Sequence, residues 1–376
     1  MPGLLPGIDP EGLLEYSVVF TDRALNHMSQ RFQGVMRDIS AGLKKVYAAR
    51  STVLVPGSGT FAMESVARQF AAGRPCLIVR NGWFSYRWTQ ILETGGLAPQ
   101  PTVLMARRVT DERQAPWVPA PVAEVTAAIR ERKPAVVFAP HVETSSGMML
   151  PKSYIREVAE ATRAVDGLFV LDCVASGAVW IDMRAEGVDV LISAPQKGWS
   201  SSPCAGLVML GERARERIEH TRSSSFACDL RAWLRIMETY EDGGHAYYAT
   251  MPTDSLRTFR DTVKETEAYG FDRVEAEQLE LGARVRKLLA ERGFTSVAAE
   301  GFEAPGVVVS YTDDDGIRSG KKFAEVGLQI AAGVPLQCGE PEDFRTFRIG
   351  LFGLEKLHNI DRTVTQLEKA LDRLAT

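Results

Sequence analysis

No stretch of about 18 apolar residues occurs in the chain, so nothing in it reads as a membrane-spanning helix. The N-terminus, MPGLLPGIDPEGLLEY, lacks a basic region followed by a long apolar run, and a secretory signal is not expected. Cysteine is sparse: Cys76, Cys173, Cys204, Cys228 and Cys338 are scattered, odd in number, and form no CxxC pair. That pattern argues against a disulfide framework or a zinc site and points to a reducing, cytoplasmic setting. Positive charge is not in excess either. A net charge of −4 gives no electrostatic case for nucleic acid or an anionic membrane as partner. Internal repeats and low-complexity linkers are also absent.

What is present is the composition of a soluble globular chain, with 45% hydrophobic and 24% charged residues. Its 376 residues are too many for one compact core and suit a large domain plus a smaller one. Short apolar runs read as strands at 52–55 (TVLV), 76–79 (CLIV), 135–139 (AVVFA), 168–171 (LFVL), 188–192 (VDVLI) and 206–210 (GLVML). Amphipathic helical stretches separate most of them, one with Ala62, Val66 and Phe70 on a face, another with Val122, Val125 and Ile129. A third opens at Pro151 and closes at Gly167. Continuous apolar strands between helices predict an α/β fold with a mostly parallel sheet buried on both faces. After about Ser255 the pattern changes to a long helix with Val274, Leu281, Val285 and Leu288, a strand at 306–310 (GVVVS), and a C-terminal helix with Ile360, Val364, Leu367 and Leu371. Ligands bind such sheets at the carboxyl ends of the strands. The segments found there are GSGT, NGWF, HVETSSG and DCVASG, rich in polar groups and glycine.

Four features could carry chemistry. Lys197 lies just past a buried strand and before a glycine, where its amine could form an imine with an aldehyde cofactor; alone, it reads more simply as a solvated lysine. Asp172 ends the run LFVLD and could hold a cofactor ring nitrogen protonated, or merely cap the next element. Gly57-Ser58-Gly59-Thr60, between a strand and a helix, offers amides and two hydroxyls to a phosphate, but lacks the lysine of a P-loop and the third glycine of a dinucleotide fingerprint. The ring of Phe84 could stack on a cofactor or sit in the core.

As an ordered set, GSGTFAMES (57–65), NGWFSYR (81–87), HVETSSGMM (141–149), LDCVASG (171–177), SAPQKG (193–198) and FRIGLFG (347–353) resemble the class V aminotransferases over roughly residues 20–375. The resemblance is greatest to the alanine–glyoxylate and serine–pyruvate aminotransferase group. It implies a fold-type I enzyme of pyridoxal 5'-phosphate, with a seven-stranded, mostly parallel sheet. The large domain would span 16–255, and the small one 256–376 with the N-terminal arm 1–15. It implies that Lys197 carries the cofactor as a Schiff base and shuttles the proton, and that Asp172 pairs with the ring nitrogen. Phe84 would stack on the ring, with Trp83 the neighbouring candidate. Ser58, Gly59, Thr60 and Gln196 would bind the phosphate, Thr144 would reach the phenolic oxygen, and Arg348 would hold the substrate carboxylate. The segment 247–252 (YYATMP) resembles one that crosses to a neighbouring subunit, where Tyr247 and Thr250 would complete the phosphate site of a homodimer.

The implied reaction moves an amino group from a small amino acid to a small 2-oxo acid such as glyoxylate or pyruvate. Asn26–Ser29 (NHMS) fits the family pattern, but LPGIDPEGLLEYSVVFTDR replaces its GPGP-like turn, and AAGVPLQCGEPEDFR replaces the glycine-rich stretch before Arg348. Both departures fall where substrate side chains are recognised, which leaves donor and acceptor open. Rival readings are a lyase, an epimerase, a cysteine desulfurase using Cys338, and a non-catalytic protein of the same fold. Cys338, ten residues before Arg348, stands too close for a desulfurase's long loop. An ion pair of Arg348 with Glu342 or Asp343 is the structural alternative to carboxylate binding.

Overall fold

The structure is a computed structural model that describes residues 7–374. Part of the N-terminal arm, residues 1–6, and the last two residues lie outside the described residues. Seven strands form the main sheet: β1 (Ser51–Pro56), β2 (Cys76–Arg80), β3 (Thr102–Met105), β4 (Val136–Pro140), β5 (Leu168–Asp172), β6 (Val190–Ser193) and β7 (Ala205–Leu210), in the order β1-β7-β6-β5-β4-β2-β3. Strands β6, β5, β4, β2 and β3 pair in parallel, whereas β7 runs antiparallel to both of its neighbours, β1 and β6. All residues of β4, β5, β6 and β7 are buried, as expected for a sheet covered on both faces.

Helices α1 (Gln30–Tyr47), α2 (Gly59–Phe70), α3 (Trp83–Thr94), α4 (Val122–Arg132) and α5 (Lys152–Ala164) follow or precede these strands. Then come α6 (Leu230–Glu241), α7 (Thr253–Tyr269) and α8 (Phe271–Glu291), and the chain closes with α9 (Ile360–Leu374). Each buries one apolar face. In α5 these residues are Tyr154, Ile155, Val158, Ala159, Ala161 and Thr162, the recurrence of an amphipathic helix.

A second, antiparallel sheet, β8 (Val307–Tyr311), β9 (Ala331–Ala332) and β10 (Thr346–Gly350), has β10 in the middle. Arg348 on β10 lies opposite Val309 on one side and Ala331 on the other. The two sheets are joined by the turn after β4. There Val142 pairs with Met149, the Met149 amide donates to the Phe302 carbonyl at 2.6 Å, and the Ala304 amide donates to the Gly147 carbonyl at 2.8 Å. Residues 143–146 are thereby held between the end of the main sheet and the strand that carries Arg348.

Candidate active site

The loops leaving the carboxyl ends of β1, β2, β4, β5 and β6 carry Ser58 to Thr60, Phe84, Thr144, Asp172, and Gln196 with Lys197. Asp172 is the last residue of β5, paired in register with Ile192 of β6, and only 8% exposed. Its Oδ1 accepts the Val174 amide at 2.9 Å. Burial pushes its carboxyl up to about 6 from an ordinary 3.8; the nearby Glu143 charge adds to the rise, while the Val174 amide, Arg87 and Lys197 oppose it.

Lys197 follows β6 across a turn in which the Ser200 amide donates to the Lys197 carbonyl at 3.1 Å. The next residue must be glycine, because a Cβ on Gly198 would lie 2.0 Å from the Gly177 carbonyl oxygen. Backbone contact between these two glycines sets where the lysine leaves the chain. Its half-buried amine stands 5.1 Å from the centre of the Phe352 ring. Burial lowers its pKa, with the charge of Arg348 acting in the same direction and Asp172 against. More of the amine is therefore neutral, and nucleophilic, than in a free lysine.

Helix α2 begins at Gly59. Ser58 occupies the cap position in an extended conformation, yet its side chain makes no capping hydrogen bond. Its hydroxyl is left for another partner, beside first-turn amides that have no acceptor within the helix. The Thr60 hydroxyl accepts from Arg87 Nη1 at 3.0 Å. Gln196 Oε1 is buried without a hydrogen-bond partner. A buried orphan acceptor of this kind marks an unfilled polar site.

Phe84 is the second residue of α3, half-buried, with the Arg87 guanidinium 5.3 Å and the Arg348 guanidinium 5.7 Å from its ring centre. Trp83 instead turns its ring to Tyr86 at 6.0 Å. The amides that open α3 are taken up by the turn after β4. Trp83 donates to Ser145 Oγ at 2.9 Å, and Phe84 and Ser85 donate to Glu143 at 3.2 and 2.9 Å. Glu143 is wholly buried and also accepts from the hydroxyls of Ser85 and Ser145, each at 2.7 Å. No side chain fits on Gly82, where a Cβ would lie 2.0 Å from Ser145 Oγ.

Arg348 donates from Nε to the Ala332 carbonyl at 2.8 Å and from Nη1 to the Thr144 carbonyl at 3.5 Å. No carboxylate pairs with it among the described residues; Asp343 is engaged by Arg113 at 3.0 Å. Burial lowers its pKa and the Glu143 charge resists that fall. The ion pair weighed as an alternative for Arg348 therefore does not form. Cys338 is buried and its thiol is pushed up to about 12 by burial, which does not suit a mobile nucleophile.

The starts of α2 and α3 bring Thr60 and Phe84 together through Arg87, and Arg348 of β10 reaches Phe84, the Thr144 carbonyl and the neighbourhood of Lys197, whereas Tyr247 and Thr250 make none of these contacts. Those two are exposed and hydrogen-bond each other at 3.1 Å, and the Tyr247 ring lies 5.5 Å from that of His27. Sequence reasoning assigned no role to Glu143 or Arg87. For Glu143 a signal was present, since a carboxylate in a turn joining two buried segments must find donors.

The profile described as Aminotransferase class-V matches residues 13–341. The chain belongs to this family. It is an aminotransferase, moving an amino group between an amino acid and an oxo acid. Relatives of this class V chain include the alanine–glyoxylate aminotransferase of Rattus norvegicus, 25% identical over 93% of this chain and 82% of that one. Another is the 2-aminoethylphosphonate–pyruvate transaminase 2 of Paraburkholderia xenovorans (strain LB400), 28% identical over 94% of this chain and 90% of that one. Among solved structures, an alanine–glyoxylate aminotransferase from Nostoc sp. superposes with a TM-score of 0.78 at 22% identity, covering 93% of this chain and 89% of that one. At that identity the likeness establishes the fold, that of the fold-type I aminotransferases.

Proposed function

We propose that the chain is a pyridoxal 5'-phosphate aminotransferase that carries its cofactor on Lys197 and transfers the amino group of a small amino acid to a small 2-oxo acid. The observation that carries the reading is the half-buried guanidinium of Arg348, which pairs with no carboxylate among the described residues, lies over the Phe84 ring, and stands near enough to Lys197 for its charge to help lower the pKa of that amine. The residues fit the cofactor: the Ser58 hydroxyl at the start of α2 makes no capping bond, the first-turn amides of α2 have no acceptor within the helix, and the Thr60 hydroxyl, which accepts from Arg87, keeps its own proton to donate. When bound, pyridoxal phosphate supplies a ring that accepts the electron pair released at the substrate α-carbon.

The chain's own residues would divide the remaining work. Lys197 Nζ would hold the cofactor and, once freed by the incoming amino acid, would take the proton from the substrate Cα and deliver it to the cofactor side of the C–N bond, a task suited to an amine of lowered pKa. Asp172 holds the ring nitrogen and Phe84 covers a ring face. Ser58, Gly59, Thr60 and Gln196 hold the phosphate, and Thr144 reaches the phenolic oxygen. Arg348 holds the substrate carboxylate in a two-pronged grip that a lysine could not reproduce.

The proposed assembly is a homodimer in which Tyr247 and Thr250 serve the partner's site. The proposed division of the chain is a large domain at 16–255 and a small one at 256–376. A cytoplasmic setting is supported by five free cysteines. Among the described residues no helix is long and apolar enough to cross a membrane. The test is a half-reaction screen: cofactor-loaded protein is mixed with single amino acids while the visible spectrum is followed and released oxo acid is assayed. Conversion by at least one small amino acid, reversed by glyoxylate or pyruvate, is expected. Failure of every donor to bleach the bound cofactor band would sink the proposal.

A further inference from the structure

The loop at 57–60 contains no lysine or arginine, although a phosphate monoester brings about −1.5 to −2 charges at neutral pH. The start of α2 offsets only about half a charge. Arg87 stands beside this loop. Its Nη1 donates to the Thr60 hydroxyl at 3.0 Å, and its guanidinium lies over the Phe84 ring at 5.3 Å. Arg87 follows Phe84 by three residues on α3, so both project from one helix face. It is half-buried and enters no ion pair among the described residues, unlike Arg68 on the neighbouring α2, which is bound to Glu64 at 2.7 Å. A hydroxyl that accepts from a cation has one lone pair engaged and its own proton free and polarised.

We propose that Arg87 is a positioning residue of the phosphate cradle: it turns the Thr60 hydroxyl into a charge-assisted donor and supplies the positive charge that the loop lacks, so that the site selects a phosphorylated cofactor over its dephosphorylated form. The inference rests on the cofactor reading above and adds a residue and a selectivity to it. One helix then delivers both the stacking ring and the cation, and Phe84 holds the guanidinium in place through its ring face.

The experiment titrates cofactor-free protein with pyridoxal phosphate and, separately, with pyridoxal, following the quenching of tryptophan fluorescence. Wild-type protein is compared with Arg87→Gln, Arg87→Lys and Thr60→Val. Arg87→Gln is expected to weaken pyridoxal phosphate binding about ten- to a hundredfold and to leave pyridoxal within about twofold, the loss of a charge-assisted contact. Arg87→Lys should fall between, and Thr60→Val should lose selectivity in the same direction as Arg87→Gln. Pyridoxal binding doubles as the check that a variant is folded. Equal weakening of both ligands would mean that Arg87 only ties α3 to α2, and unchanged pyridoxal phosphate binding would mean that it does not act on the phosphate; either overturns the proposal. Wild-type protein that binds neither ligand, or both equally, would overturn the cofactor reading and this inference with it.

Discussion

Arg348 brings its charge into the site with no carboxylate to meet it among the described residues, and it donates to the carbonyls of Ala332 and Thr144. Arg348→Lys keeps the charge but loses the fork, so amino and oxo acids should both bind about 2–4 kcal/mol more weakly. The cofactor absorption band should be unchanged. Titrating the variant with an amino acid and with the amine lacking its carboxylate checks this: equal loss for both would remove Arg348 from the carboxylate role. Asp172 allows a second measurement. Its folded carboxyl, at about 6 against an ordinary 3.8, binds its proton more tightly than in the unfolded chain. The stabilisation this gives is complete below about pH 4 and is lost as pH rises through about 6, a change of at most about 3 kcal/mol. In cofactor-free protein, Asp172→Asn should therefore gain stability relative to wild type as pH rises from about 4 to about 6 and hold that gain above it. Urea unfolding across that range measures the difference, and a flat difference would show that Asp172 does not titrate there. Asp172 closes an apolar run and Lys197 lies four residues past the strand that ends at Ser193, but periodicity alone leaves each with a structural reading, and it is the resemblance of the ordered motifs that gives them roles. Arg87 was not legible in the sequence, since only the fold brings α3 against the loop at 57–60.

Helix α3 depends on a carboxylate from outside itself. Glu143 takes the amides of Phe84 and Ser85, and Gly82 leaves it the room to do so. Glu143→Ala would strand at least two buried amides and a hydroxyl, and should cost about 3–5 kcal/mol in urea unfolding, with poorer cofactor retention because Phe84 loses its anchor. A loss below about 1 kcal/mol would show that water replaces the carboxylate without penalty. Long apolar strands such as 168–171 and 206–210 were read within a residue or two of β5 and β7, because burial on both faces leaves an unbroken apolar signature. Strand β3 (TVLM) is not among the strands expected from the sequence, although it is as apolar as the TVLV of β1: it is short, follows Pro99 and Pro101, and lies half-exposed at the sheet edge. The two-residue β9 is too short for any periodicity. The turn at 143–146 was legible as polar, but its role in joining the two sheets depends on contacts about 160 residues apart in sequence.

At the scale of the whole molecule, the apolar residues Leu13, Tyr16, Val18, Phe226 and Tyr247 are more than half exposed in the single chain; Tyr247 and Thr250 hydrogen-bond each other, and the Tyr247 ring meets the buried His27. If the segment at 247–252 serves the partner's site, each active site is built from two chains, and defects in different chains can complement one another. A Lys197→Ala chain cannot hold its own cofactor but still offers an intact Tyr247 and Thr250. A Tyr247→Ala/Thr250→Ala chain has the lysine but cannot serve its neighbour. When the two inactive variants are unfolded together and refolded as an equimolar mixture, half of the dimers are mixed, and each mixed dimer contains one complete site. Activity should return to about one quarter of the wild-type value. The rival is that 247–252 is an ordinary surface turn, as Pro252 permits, with any contribution made within its own chain. Every site in the mixture would then keep one defect and no activity would return. Full activity of the double alanine variant alone would show that neither side chain matters.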